Sequence, residues 1–142
     1  MADISAIIET LEHRFMRAWM RRDKGEIRKF ATRDFMMIVG TEKPQLLDRP
    51  SFIEASDKAF SCTGFRFREV CARKHGNCTW FAAGVDLELQ LNGEDWSGHF
   101  WLTDLWRKSA IKRSWRLAER SLSRTESQAE LSDAIKRLQL WH

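Results

Sequence analysis

Phe81-Ala82-Ala83-Gly84-Val85-Asp86-Leu87-Glu88-Leu89-Gln90-Leu91 is the stretch whose reading decides the fold. Every odd position in it is apolar, while Asp86, Glu88 and Gln90 hold even ones. A period of two belongs to a strand with one face on a core and the other toward water. Asn92-Gly93 follows, the commonest signal for a tight hairpin, so the next strand, Trp96 to Arg107, returns antiparallel. Pairing across the Asn92 to Asp95 turn, in either a two- or a four-residue loop, sets odd residues beside even ones: Trp96, Gly98, Phe100, Leu102, Asp104 and Trp106. Asp104 is the single charge on that inner face.

Outward from this pair, the pattern extends in both directions. His75-Gly76-Asn77 separates a strand over Phe65 to Lys74 from one over Cys78 to Leu91, and Lys108 to Arg113 leads into a last strand, Ser114 to Leu122. The connections are short, so these strands form an antiparallel meander. If Trp106 pairs with Trp115, the same parity turns Trp115, Leu117, Glu119 and Ser121 inward. It also sends Arg66 and Arg68 inward, unless a bulge reverses them.

Upstream the period changes. Ile4, Ile8, Leu11, Phe15, Ala18 and Trp19 recur at three- and four-residue steps and mark one stripe of an amphipathic helix. Asp23 and Glu26 form a capping-box-like start for a short second helix carrying Ile27 and Phe30. Phe35 to Val39 reads as a strand closed by Gly40, followed by a loop with Pro44 and Pro50. Ser51 and Glu54 then open a helix ending near Phe60. From Thr125 a tail helix is expected, with Leu131, Ile135 and Leu138 on one side. Helices first and a sheet after define an α+β class, with a domain over 1–123 and a helical tail over 124–142.

Composition bounds what such a domain can do. With 142 residues, 43% hydrophobic, 31% charged and a net charge of +4, the chain is one globular domain and not a disordered one. Its longest apolar run, Phe35 to Val39, is far below the roughly 20 residues that cross a bilayer, so no membrane partner is expected. The polar, acidic start Met1 to Ser5 is unlike a secretory signal, and a cytoplasmic location is expected. Eight Lys or Arg between Arg14 and Arg33, and seven from Arg107 to Arg124, make either a phosphate-contacting stripe or a solvated face. With so small a net charge, the solvated face is preferred and no nucleic-acid partner is expected. Cys62, Cys71 and Cys78 match neither a zinc knuckle nor a disulfide framework. Phosphate-binding glycine loops, dinucleotide fingerprints and nucleophile elbows are lacking, so no cofactor and no metal are expected.

A carboxylate on an apolar face must be paired, protonated or set against a wet cavity. Asp104 and Glu119 are therefore either acid/base groups tuned by apolar walls, or halves of ion pairs with Arg68, Arg66 or a helix-one arginine. On the outer face, Asp86, Glu88 and His99 are ordinary metal-ligand types. Together with Trp80, Trp101 and Leu105 they fit a subunit interface better.

Two stretches carry a family resemblance. One is Phe15-Met16-Arg17-Ala18-Trp19 with Asp23, Ile27, Phe30-Ala31 and Asp34-Phe35; the other is Trp106-Arg107-Lys108 with Trp115 to Ser123. Together they resemble the nuclear transport factor two-like superfamily, which includes the cystatin-like, polyketide-cyclase-like and ketosteroid-isomerase-like proteins. The resemblance implies a cone in which a strongly curved mixed or antiparallel sheet wraps the N-terminal helices. It also implies a pocket inside the cone and a homodimer through the outer sheet face. The tyrosine and acids of ketosteroid isomerase have no counterpart, since Phe15, Ile38-Val39 and Phe100 occupy those neighbourhoods and the chain contains no Tyr.

The expectation is a small apolar ligand held among Phe15, Trp19, Met37, Phe100 and Trp106 and oriented by Arg68, with Asp104 and Glu119 as the catalytic candidates. The implied chemistry is an isomerase, cyclase or dehydratase step on a polyketide- or steroid-like substrate. The alternative is a non-catalytic interaction module, dimeric through Trp80, His99, Trp101 and Leu105. An open, polar-ended pocket distinguishes the first reading, and a solid interior the second.

Overall fold

A computed structural model of the chain describes residues 3–125 and 137–138. Helix α1, Ile4–Met20, starts where the Asp3 side chain accepts the Ser5 amide, and α2, Lys24–Phe30, starts where Asp23 accepts the Glu26 amide at 3.1 Å. Strand β1, Ala31–Gly40, is longer than its apolar run, and a short edge strand, β2, Gln45–Asp48, occupies part of the expected loop. Helix α3, Arg49–Asp57, is capped by Asp48, which accepts the Ser51 amide at 3.0 Å, and not by Ser51. Pro50 falls in its first turn, where no amide hydrogen is needed. Phe60, expected at the end of that helix, begins a strand instead.

Four long strands and one short one complete the sheet: β3 Phe60–His75, β4 Cys78–Leu91, β5 Glu94–Asp95, β6 Gly98–Lys108 and β7 Trp115–Arg124. The order is β2-β1-β7-β6-β4-β3, with β5 on β4. All pairs are antiparallel except β1 with β7, which is parallel because the helices and the meander intervene between them. The Asn92-Gly93 turn has positive φ at both residues, 53° and 83°, and Leu91 pairs with Glu94 across it as a two-residue hairpin. The result is the expected α+β cone, with α1 lying against β3 inside the curve. The tail-helix expectation at Leu131 and Ile135 lies outside the described residues.

Parity holds through β4 and β6. Phe81, Val85, Leu87 and Leu89 are buried on one strand, and Phe100, Leu102, Asp104 and Trp106 on the next, with Phe81 opposite Asp104 and Val85 opposite Phe100. Beyond them, single-residue bulges reverse it. On β3, Arg68 and Glu69 together oppose Gly84, so Phe65 and Phe67 turn inward while Arg66 and Arg68 stay on the exposed side. On β7, Trp106 pairs with Leu117 and Leu105 with Glu119, leaving Ala118 as the extra residue. Glu119 is therefore exposed, and Arg120 takes the inward place expected for it. A one-residue slip exchanges the two faces of a strand, which is why the error is complete and not partial.

Removing Ala118 is expected to take out the extra residue and leave Glu119 opposite Leu105 and Arg120 opposite Asp104, so that Glu119 stays exposed and Arg120 stays inward. The deletion variant should retain a cooperative thermal unfolding transition, measured by circular dichroism, whereas inserting one alanine between Glu119 and Arg120, which turns Arg120 to the outer face, should abolish it.

Candidate functional site

The interior of the cone is built from rings. Phe15 stacks on Phe52 at 6.1 Å, Trp19 meets Phe52 and Phe60 edge-on at 5.4 and 5.1 Å, and Trp96 meets Phe100 at 5.1 Å. The Trp19 indole donates to the Phe60 carbonyl at 3.1 Å. The five apolar residues expected to line a ligand pocket, Phe15, Trp19, Met37, Phe100 and Trp106, have zero solvent exposure. The rings touch one another, so the space assigned to an apolar ligand is occupied by the chain's own side chains.

At one end of this aromatic core lies a buried polar cluster. Arg120 donates through Nε to Asp104 Oδ1 at 2.9 Å and through Nη2 to Asp104 Oδ2 at 2.8 Å, a two-pronged pair. The same Nη2 reaches Glu12 Oε2 at 3.0 Å, Nη1 faces the Met16 sulfur at 3.2 Å, and the guanidinium lies 4.8 Å from the centre of the Phe15 ring. Trp106 Nε1 donates to the other Glu12 oxygen at 2.7 Å. Glu12, Asp104 and Arg120 are all fully buried.

Two acids and one base without water need a proton to balance. Burial first, and then the charge of Asp104 and a hydrogen bond to it, push the Glu12 carboxyl well above the usual range. Burial alone would lower the Arg120 pKa, but Asp104 and Glu12 outweigh it and raise it.

Asp104 is thus where the strand alternation placed it, inward among apolar walls, and its partner is Arg120. Glu119 is not in the site, and Arg68 lies outside, pairing with Asp86 at 2.7 Å with half its side chain exposed. Glu12 and Arg120 were both unforeseen. Glu12 was legible in spacing, since it sits four residues after Ile8 and three before Phe15 on the buried stripe. Arg120 was hidden by the Ala118 bulge.

The outer face holds a second group. His99 Nδ1 lies 3.1 Å from Asp86 Oδ1, and its ring meets Trp101 at 5.4 Å. Strand pairing sets Trp80 beside Leu105 and Gly84 beside Trp101. The side chain of Glu69 lies across Gly84, in space that a Cβ there would fill, and its buried Oε2 has no hydrogen-bond partner. Asp86 is held below the usual carboxylate range by the hydrogen bond from Arg68, with a smaller contribution from His99. No grouping of His, Cys, Asp and Glu fit for a metal ion occurs among the described residues. Burial pushes the Cys62 thiol up to about 11, so at neutral pH it is not a thiolate nucleophile.

The family match decides the lineage of this architecture: the SnoaL-like domain matches residues 8–126. The chain belongs to the SnoaL-like domain family. No curated protein matches it. Among solved structures it is similar to an NTF2-like protein from Cytophaga hutchinsonii, with a TM-score of 0.77, 10% identity, and coverage of 87% of this chain and 99% of that one. A putative Ca/calmodulin-dependent kinase II association domain from Exiguobacterium sibiricum gives 0.74 at 11% identity, covering 90% and 98%. A ketosteroid isomerase-like protein from Erwinia carotovora atroseptica gives 0.65 at 16% identity, covering 86% and 96%. At these identities the likeness is one of fold alone. In this SnoaL-like chain the isomerase neighbourhoods hold buried Phe15 and Phe100 and an Ile38 that is 40% exposed on the other face.

Arg120→Met should strip two buried acids of their counter-charge and cost about 3–5 kcal/mol in urea unfolding. Glu12→Gln should behave differently. Because the folded Glu12 pKa is raised, its stabilising share is full below about pH 4.3 and is lost as pH rises through the folded value. The difference in unfolding free energy between Glu12→Gln and the parent should therefore grow in favour of the variant from pH 5 toward pH 9.

Proposed function

We propose that this SnoaL-like protein is a non-catalytic interaction module that acts as a homodimer through its outer sheet face. The single observation behind this reading is the solid interior. The apolar side chains expected to contact a substrate have no exposure, and the one candidate acid that lies on the inner face, Asp104, gives both oxygens to Arg120. Both oxygens of that carboxyl are taken up by the guanidinium and have no solvent exposure, so neither faces a space that a substrate could enter. An isomerase, cyclase or dehydratase step on a polyketide- or steroid-like substrate has no free group of the required kind among these side chains.

The outer face supports self-association. Trp80 is 39% exposed and pairs with Leu105, and Trp101 and His99 follow further along the same face of β6, a mixture of aromatic and polar groups suited to an interface. Glu69 Oε2, buried without a partner on the same face, is the acceptor that a donor from a second copy would satisfy.

A second reading follows from a shallow apolar groove of about 390 Å3 between β2, α3 and the end of β4, lined by Val39, Leu47, Ala55, Ala59, Phe60 and Leu91. A small apolar ligand would bind there, away from the buried acids, without chemistry.

Sedimentation equilibrium at micromolar concentration is expected to give a dimer for the parent and a folded monomer for a Trp80→Glu, Leu105→Glu double variant. A monomeric parent would overturn the dimer. Turnover or affinity that disappears in Asp104→Asn while the fold stays intact would restore the enzyme.

A further inference from the structure

The ends of β6 and β7 set two like charges face to face, since Arg107 and Arg116 are direct partners across the ladder. Like charges opposite each other in a sheet are destabilising unless something offsets them. For Arg107 the offset is Asp34, whose Oδ1 accepts from its Nη2 at 2.7 Å. That carboxylate is held below its usual range by the same Arg107 hydrogen bond, then by one from Thr32. Arg116 has no such relief. It is fixed by backbone carbonyls alone: Nε to Lys29 at 3.2 Å, and Nη2 to Arg28 at 3.0 Å and to Ala31 at 2.7 Å. Arg49 is fixed on the same Ala31 carbonyl at 3.3 Å.

Around Arg116, then, stand Arg33, Arg49, Arg107 and Lys108, with Asp34 the one acid among the residues lining the groove. Among the described residues no ion pair reaches Arg33, Arg49, Lys108 or Arg116. The groove itself is lined by four cations, Arg33, Arg107, Lys108 and Arg116, against Asp34, an excess of three. Burial and then the guanidiniums of Arg49, Arg107 and Arg33 make the Arg116 charge less favourable than that of an ordinary arginine.

We infer that this groove, about 550 Å3 and lined by Thr32, Arg33, Asp34, Arg107, Lys108 and Arg116, binds a multiply charged phosphate group carried by a small molecule. Planar guanidinium forks match phosphate oxygens two at a time, and those of Arg107 and Arg116 are already held in place, so little ordering is needed on binding. Of the Arg116 nitrogens, only Nε and Nη2 are engaged by the backbone, and Nη1 keeps its donors for a ligand. The groove has the volume of a small-molecule site.

The site is independent of the dimer face and of the buried cluster. Its test is isothermal titration calorimetry of the full chain with inorganic pyrophosphate at about 50 mM salt. A single saturable site is expected. Arg33→Gln with Lys108→Gln, which removes two side chains that make no protein hydrogen bond, should weaken binding by about tenfold or more. The control Arg17→Gln with Lys43→Gln removes the same net charge elsewhere and should leave affinity within about twofold. Equal weakening in both double variants would reduce the effect to general attraction and overturn the site. So would the absence of saturable heat, or tighter binding of a single-stranded oligonucleotide than of pyrophosphate.

Discussion

The interaction on which the rest depends is the clasp of Arg120 on Asp104 and Glu12. It ties α1 to β6 and β7 through one guanidinium, in a place where no water competes. Trp106 completes it by donating to Glu12, so a helix and two strands share a single polar centre. Such a centre adds little to stability compared with an apolar replacement of the same volume. What it adds is uniqueness: only one register of β7 puts a cation where two acids need it. The aromatic rings then pack against a frame that this centre has already oriented.

Most of the architecture was legible, and the reasons are physical. Phe81 to Leu91 alternates without a break, and a two- or a four-residue loop at Asn92 to Asp95 gives the same parity, so the inner faces of β4 and β6 followed from residue identities, while the register itself is fixed by the two-residue turn in the structure. Helix α1 was visible for the same reason, with a buried stripe at helical spacing. The losses came at two kinds of place. A bulge adds a residue without a compositional mark: nothing in Ala118 or in Arg68-Glu69 announces it, yet each reverses the faces beyond it. The edge strand β2 was hidden because it is short and its Leu46 is 64% exposed, leaving no buried pattern to read. Asp104 survived because it lies before the bulge, and Glu119 was lost because it lies after.

The site therefore changed character more than position. An inward acid on an apolar face had two readings, and the cation that decides between them sat one residue beyond the position where parity placed Glu119. The fold is shared with proteins of quite different descriptions at 10–16% identity, from kinase-association to isomerase-like. Shared backbone curvature does not carry side-chain chemistry with it. In this chain the space inside the curve is given over to packing. The features that remain available to other molecules lie outside it, on the tryptophan face and in the arginine groove.

The clasp also imposes an order in time. Glu12 and Arg120 are 108 residues apart, so during synthesis the acid exists long before its partner does. Until β7 is made, α1 cannot settle into the curve without burying a carboxyl whose hydrogen bonds are incomplete, and closing so long a loop is slow. The last strand thus acts as the latch of folding, and a nascent chain halted just before it is the species most exposed to aggregation and chaperone capture.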